Sequence, residues 1–314
     1  MGALAALTAS LCWAVASILF TRLRAEIGPV GLNLLKCALA LAALASTRAI
    51  TAGNAPFAGI GYGEAGWLAL SGVVGLAVGD SFLFLAFSRI GPRRTLLLST
   101  TTPPITAMLA WPVLGEALGP GSWLGMALTL GGVAWVIAER APAPPPSAHA
   151  DSPPGAGHAA PVVSPSAATA VGVAAGLVWA FCQGLANVLT KLGGREATAL
   201  DITLVRLSAG VLALVVSTIA TEGLRPTLYP LRHRRTLRRL ATATFVGTYL
   251  GVWLQIAGLR YTAHAGVAAT LSSTSPLFVL PLAAAFLDDR PSPRAVIGAA
   301  VAVAGIALLF LTGS

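Results

Sequence analysis

GLAVGDSFLFLAFSRIGPRRTLLLSTTTPPITAMLAWPVLGE, residues Gly75–Glu116, is the stretch that decides the fold. It reads as two apolar helices joined by a tight basic turn, Arg89–Arg94. The first carries Asp80 inside an apolar run. The second carries Ser99–Thr102 before Pro103 and Pro104, and ends in Gly115-Glu116. Each run approaches the ~20 residues that cross the hydrocarbon of a bilayer.

The rest of the chain has the same character. Of 314 residues, 56% are hydrophobic and 10% charged, with a mean hydropathy of +0.80. That is too little charge to cover a soluble surface of this size, so the composition implies an all-α polytopic membrane protein. The net charge of +9 does not point to nucleic acid, because the bases cluster in short loops between apolar runs. Cys12, Cys37 and Cys182 have no pairing or metal spacing and read as packing residues. The four histidines are scattered, so neither a metal nor another cofactor is expected. The apolar start reads as a first span rather than a removable leader.

Ten spans follow from the apolar runs, five before and five after a break. Residues 139–168, ERAPAPPPSAHADSPPGAGHAAPVVSPSAA, hold little to bury and predict a disordered linker. It separates a first unit, 1–138, from a second, 169–314. A shift of 172 lays Gly75, Gly79, Thr102, Pro104 and Glu116 on Gly247, Gly251, Thr274, Pro276 and Asp288. A shift of 173 lays Gly125 and Gly132 on Gly298 and Gly305, and in span 2 Lys36 falls on Arg206. Five spans is an odd number, so two alike copies must insert in opposite senses. Inverted repeats are a device of transporters, in which one fold closes on either side in turn.

The residues quoted above also resemble a known family. Gly79-Asp80 and Phe84 ahead of Arg89-Ile90-Gly91, then Ser99…Pro104, Leu114-Gly115-Glu116 and a glycine-rich fifth span are similar to the EamA-type branch of the drug/metabolite transporter superfamily. The resemblance covers everything but the linker. It implies ten helices in two inverted five-helix repeats and movement, often export, of a small organic solute such as a metabolite, amino acid or drug-like compound. The second copy departs from the pattern, with Leu287-Asp288 for Gly-Glu and Val252 in the place of Asp80.

Orientation carries a conflict. Fourteen Lys and Arg follow odd-numbered spans and four follow even-numbered ones. Positive charge stays in the cytoplasm, which puts both termini outside, in the plasma or inner membrane. The resemblance implies both termini inside. The bases of residues 232–239 predict contact with anionic lipids. Monomer and homodimer both remain open.

Candidate site residues are polar or aromatic side chains within the spans. A bare carboxylate at the depth of Asp80 costs roughly 3 kcal/mol on insertion scales. Lys36 falls at a similar depth, so the two form either a structural ion pair or a proton or cation coupling site. Gln183 and Asn187 lie four apart on one helical face, and Gln255 is on span 8. Ser99 and Thr100, like Ser272 and Thr274, stand just before prolines that free backbone carbonyls and bend the helix toward a cavity. Trp13 and Trp179 are placed to wall such a cavity. Arg206 reads as reaching the interface with its long side chain, or else as facing the cavity. Glu116 and Asp288 read as caps of the helices that follow them.

The expectation is therefore a secondary transporter with a midplane site and, at Asp80, a possible proton coupling. No G-x-x-x-x-G-K-[ST] phosphate loop is present, so ATP is not the direct energy source. The competing readings are an intramembrane enzyme and a non-transporting scaffold. The first lacks a recognisable catalytic motif; the second has no use for inverted repeats.

Overall fold

A computed structural model describes residues 1–23, 27–51, 57, 59–138, 165–221, 223–275, 277–278 and 293–312. The first half holds α1 (Gly2–Leu23), α2 (Pro29–Ile50), α3 (Tyr62–Gly72), a π-helical stretch (Val73–Gly79), α4 (Asp80–Ser99), α5 (Thr102–Leu114) and α6 (Pro120–Ala138). The second holds α7 (Pro165–Gly193), α8 (Ala199–Thr221), the short α9 (Leu224–Leu228), a 3₁₀ turn (Tyr229–Arg232), α10 (Arg234–Thr244), a second π-helical stretch (Phe245–Val252), α11 (Trp253–Tyr261), α12 (Ala265–Ser272) and α13 (Pro293–Thr312). Among the described residues, five continuous stretches are long and apolar enough to cross a bilayer, Val30–Ile50, Tyr62–Ile90, Thr169–Gly193, Ala199–Thr221 and Arg234–Tyr261. Leu212, Val216 and Ile219 form an exposed apolar stripe on α8, as Met108 and Trp111 do on α5. Such stripes are lipid-facing surface, and the chain is an integral multi-pass membrane protein.

Three expectations change. Arg89–Arg94 keeps helical backbone instead of a loop, although the chain does reverse there. Ile90 packs at Gly172, Leu98 at Gly176 and Ile105 at Gly184, so the path runs against α7 and then back along it. Residues 165–168 begin α7 rather than ending a linker, with Pro165 at the first position, where its missing N–H has no partner to lose. The basic segment 234–239 is helical, because Thr236, Leu240 and Ala243 supply an inward face behind the arginines. The linker up to residue 164, Pro276, and span 9 beyond residue 278 with Asp288 lie outside the described residues.

The helices are laced between the halves. α7 packs against α3–α4 of the first half, with Ala186 on Gly75 and Cys182 on Gly79. α1 packs against α10–α11 of the second half, with Ala16 on Gly247 and Cys12 on Gly251. These glycines lie in the two π-helical stretches, where a side chain would hold the neighbouring helix away. α6 and α13 cross so that Gly125 meets Gly305 and Gly132 meets Gly298. The pairing is reciprocal, each glycine meeting the shift-related partner of the other. α5 and α12 run in opposite directions, with Ala107 on Gly266 and Ala110 in one cluster with Ala265 and Ala268.

The two ends of the bundle differ in charge. Helix direction puts Arg22, Arg89, Arg93, Arg94, Arg225, Arg232, Arg234, Arg235, Arg238, Arg239 and Arg294 at one end. Met1 and Thr312 are at the other, where Glu64, Glu116, Glu196 and Asp201 stand with Arg48, Lys191, Arg195 and Arg260.

Candidate functional site

A cavity of about 150 Å³ lies between the laced helices. On α1 its wall is Trp13, Ser17 and Phe20; on α4 it is Asp80, Leu83, Phe84 and Phe87; on α7 it is Trp179, Gln183 and Asn187. Each set repeats at three- and four-residue steps, so one face of each helix lines the space. Lys36, Ser99, Thr102, Gln255, Ser272, Ser273 and Ser275 complete the polar lining.

Lys36 and Asp80 form a buried ion pair, Nζ to Oδ2 2.6 Å. Gln183 donates its amide N–H to the other oxygen, Oδ1, at 3.0 Å and to the Gly75 carbonyl at 3.3 Å. The π-helical stretch explains why carbonyls there accept side-chain donors. Its backbone bonds reach one residue further than in an α-helix, the Asp80 N–H bonding the Gly75 carbonyl, and the ladder is locally offset. Asn33 donates to the Leu76 carbonyl at 2.8 Å. The Lys36 ammonium also sits 5.7 Å from the Trp13 ring centroid and 5.4 Å from that of Phe84, within cation–π range.

The hydroxyl-proline segments interrupt their helices. Thr100 and Thr101 are non-helical, and α5 restarts with Pro103 and Pro104 in its first turn. Thr101 Oγ1 bonds the Leu98 carbonyl at 2.7 Å. In the second half, α12 stops at Ser272, and the Ser273 and Thr274 hydroxyls bond the Ala269 and Leu271 carbonyls at 2.9 and 2.7 Å.

Of the sequence candidates, Trp13, Lys36, Asp80, Ser99, Trp179, Gln183, Asn187, Gln255 and Ser272 lie on the cavity. Thr100 and Thr274 do not line it. Thr274 is wholly buried and bonds Ser10 Oγ at 3.0 Å, joining α1 to the turn after α12. Arg206 does not reach the interface. It is 4% exposed, because α8 presses on α3 at Gly72 and the guanidinium ends beside Gly75. Phe84 and Phe87, four and seven residues after Asp80, were legible as the same face, and Ser273 and Ser275 belong to the hydroxyl run before Pro276; Ser17 and Phe20 carried no signal of their own.

The end of the bundle nearest the termini is tied across the two halves. Gly115 turns left-handed (φ 70°) at the end of α5 and carries Glu116 toward the second half. There Glu116 Oε2 accepts the Ala265 N–H at 2.6 Å and Oε1 pairs with Lys191 at 2.5 Å. Glu116 thus caps α12, not the helix that follows it. Lys191 also donates to the Ala263 carbonyl. Arg48 pairs with Asp201 at 2.8 Å, joining α2 to α8. Beneath Glu116, Ala110, Val188, Leu259, Ala265 and Ala268 form an apolar plug.

A family model described as the EamA-like transporter family matches residues 1–138 and 170–311. The chain belongs to this family. As in other multi-pass proteins, spans buried in one another and exposed to lipid fit an EamA-like membrane transporter; its two family matches fall on the two halves traced above. The fold is also similar to a solved chain described only as "Crystal structure of protein", with a TM-score of 0.72 and 19% identity over 99% of this chain and 97% of that one. No curated protein matches this EamA-like chain in sequence.

Proposed function

We propose that this EamA-like protein is a secondary transporter that exports a small organic solute by alternating access about the cavity. The observation that carries the reading is the placing of the cavity between laced halves. It is walled by the first helix of each half and by interrupted helices from both, and one end of the bundle carries ties that themselves cross between halves. The two units are inverted copies with ten spanning segments in all; the antiparallel α5 and α12 and the reciprocal glycine contacts of α6 and α13 support this. In such a fold, breaking the ties at one end while a matching set forms at the other exposes the site to the opposite side.

The arginine-rich end faces the cytoplasm, and both termini face out. The exposed arginines of α10 and Leu19 of α1 border a groove suited to anionic headgroups. Both Asp80 oxygens are held by donors, which favours the reading of a structural ion pair with Lys36 over a coupling site. Purified protein in liposomes, loaded with metabolite mixtures and assayed for exchange, tests the transport reading. Absence of exchange across amino acids, organic acids, amines and nucleosides would remove it. A reporter active only in the cytoplasm, fused after Ser314, tests orientation, and a bright signal reverses it.

A further inference from the structure

The middle of the bundle holds more positive than negative charge. Among the described residues, the buried ionic side chains are Lys36, Asp80, Arg206 and Asp201, at 1%, 2%, 4% and 2% exposure; Asp201 lies toward the end of the bundle and is paired with Arg48. Lys36 is matched by Asp80. Arg206 has no ion pair, and its Nε has no hydrogen-bond partner. Its guanidinium is next to the amide that holds Asp80: a methyl built on Gly75 would come 3.5 Å from Arg206 Nη2 and 3.6 Å from Gln183 Oε1. An unmatched buried cation is strongly unfavourable unless an anion or water answers it.

The cavity wall is short of negative charge in the same way; its other acceptors are neutral amide and hydroxyl oxygens. Asp80 is its one carboxylate among the described lining residues, and Lys36 and Gln183 occupy both oxygens. Donors remain. The Trp179 indole N–H and the Thr102 hydroxyl are buried on the wall without a partner, and Thr102 is 7% exposed. Lys36 has one hydrogen-bond partner for its three N–H groups. The remaining wall is apolar and aromatic, from Phe20, Leu83, Phe84 and Phe87.

We infer that the transported solute is an organic monocarboxylate with an apolar body: its carboxylate accepts from Lys36, Trp179 and Thr102, and its charge answers the excess that Arg206 brings. A solute ammonium would add to that excess and meet only neutral acceptors, the amide oxygens of Gln183, Asn187 and Gln255 and the hydroxyls, so amines are disfavoured and zwitterions fall between. The inference rests on the transporter reading of the cavity and narrows it to one charge class.

Three probes of matched shape test it: 3-phenylpropionate, phenylalanine and 2-phenylethylamine, titrated calorimetrically into the detergent-purified chain. The carboxylate is expected to bind at least about tenfold more tightly than the amine, the size of one charge-assisted hydrogen bond, with phenylalanine between. Thr102→Val and Trp179→Phe should each weaken the carboxylate several-fold and leave the amine unchanged; Arg206→Gln should weaken it at least as much. If Arg206→Gln does not fold, the two milder variants decide. An amine that binds as tightly as the carboxylate, or no binding of any probe, overturns the inference. Counterflow in liposomes separates it from the broader reading. A carboxylate bound but not exchanged removes transport and leaves the anion site. An amine exchanged in preference to the carboxylate removes the anion site and leaves transport.

Discussion

Lys36 Nζ lies 2.6 Å from Asp80 Oδ2, and neither side chain is more than 3% exposed. Removing one partner breaks a buried pair and leaves the other without its contact, whereas removing both leaves only Arg206, which already has no ion pair in the native chain. Asp80→Asn and Lys36→Met should each destabilise the protein by roughly 3–5 kcal/mol. The double variant Lys36→Met/Asp80→Leu should be less destabilised than either single one. Unfolding in detergent of the four proteins gives the coupling; additive losses would show that the pair does not act as a unit.

Gly247 and Gly75 are where the first helix of each half seats on the other half. A methyl on Gly247 would stand 2.4 Å from Ala16 Cβ, and one on Gly75 2.8 Å from Ala186 Cβ. Overpacking of this kind costs about 1–3 kcal/mol. Gly247→Ala should therefore lower the thermal midpoint, and Ala16→Gly in the same chain should restore part of it. Gly131→Ala, with open space around the new methyl, should not lower it.

Asn33 is the donor for the Leu76 carbonyl inside the first π-helical stretch. Asn33→Leu leaves that buried carbonyl without its side-chain donor, a loss of roughly 1–3 kcal/mol. Faster hydrogen exchange confined to residues 73–80 would mark the site of the effect. Exchange unchanged there would mean that the offset backbone holds without Asn33.

Glu116 and Lys191 tie α5 and α7 to the start of α12. Glu116→Gln keeps the Ala265 cap and removes the charge pair. In a chain whose Cys12, Cys37 and Cys182 are replaced, a cysteine at Asn187 should react several-fold faster with a membrane-impermeant maleimide when Glu116→Gln is added. Equal rates would show that the pair does not hold that end closed.

The sequence made much of this readable and some of it not. Glycine spacing at 75/79 and 247/251 marked the helix seats, because close approach of backbones leaves a composition trace. The π-helical offsets left none, since one extra residue in a turn does not alter an almost wholly apolar pattern. Glu116 showed itself as a cap, but its target is in the other half, and local reading favours the neighbour in sequence. Arg206 was misplaced for a related reason. Its side chain is long enough to reach an interface, and only the packing of α8 on Gly72 keeps it inside. Thr274 followed its apparent twin Thr102 in sequence, yet Thr102 faces the cavity and Thr274 bonds to α1.

The lacing of α1 into the second half sets an order of assembly. When α1 leaves the ribosome, the helices it seats on, α10 to α12, have not been made. At roughly 5–20 residues per second, the wait is on the order of ten to forty seconds. During that time Trp13, Ser17 and the small residues of α1 have lipid or insertion machinery for neighbours. The first half released alone has its fourth-helix groove empty of α7 and its α1 unseated, so truncated chains should be prey to membrane proteases even when every span in them is intact.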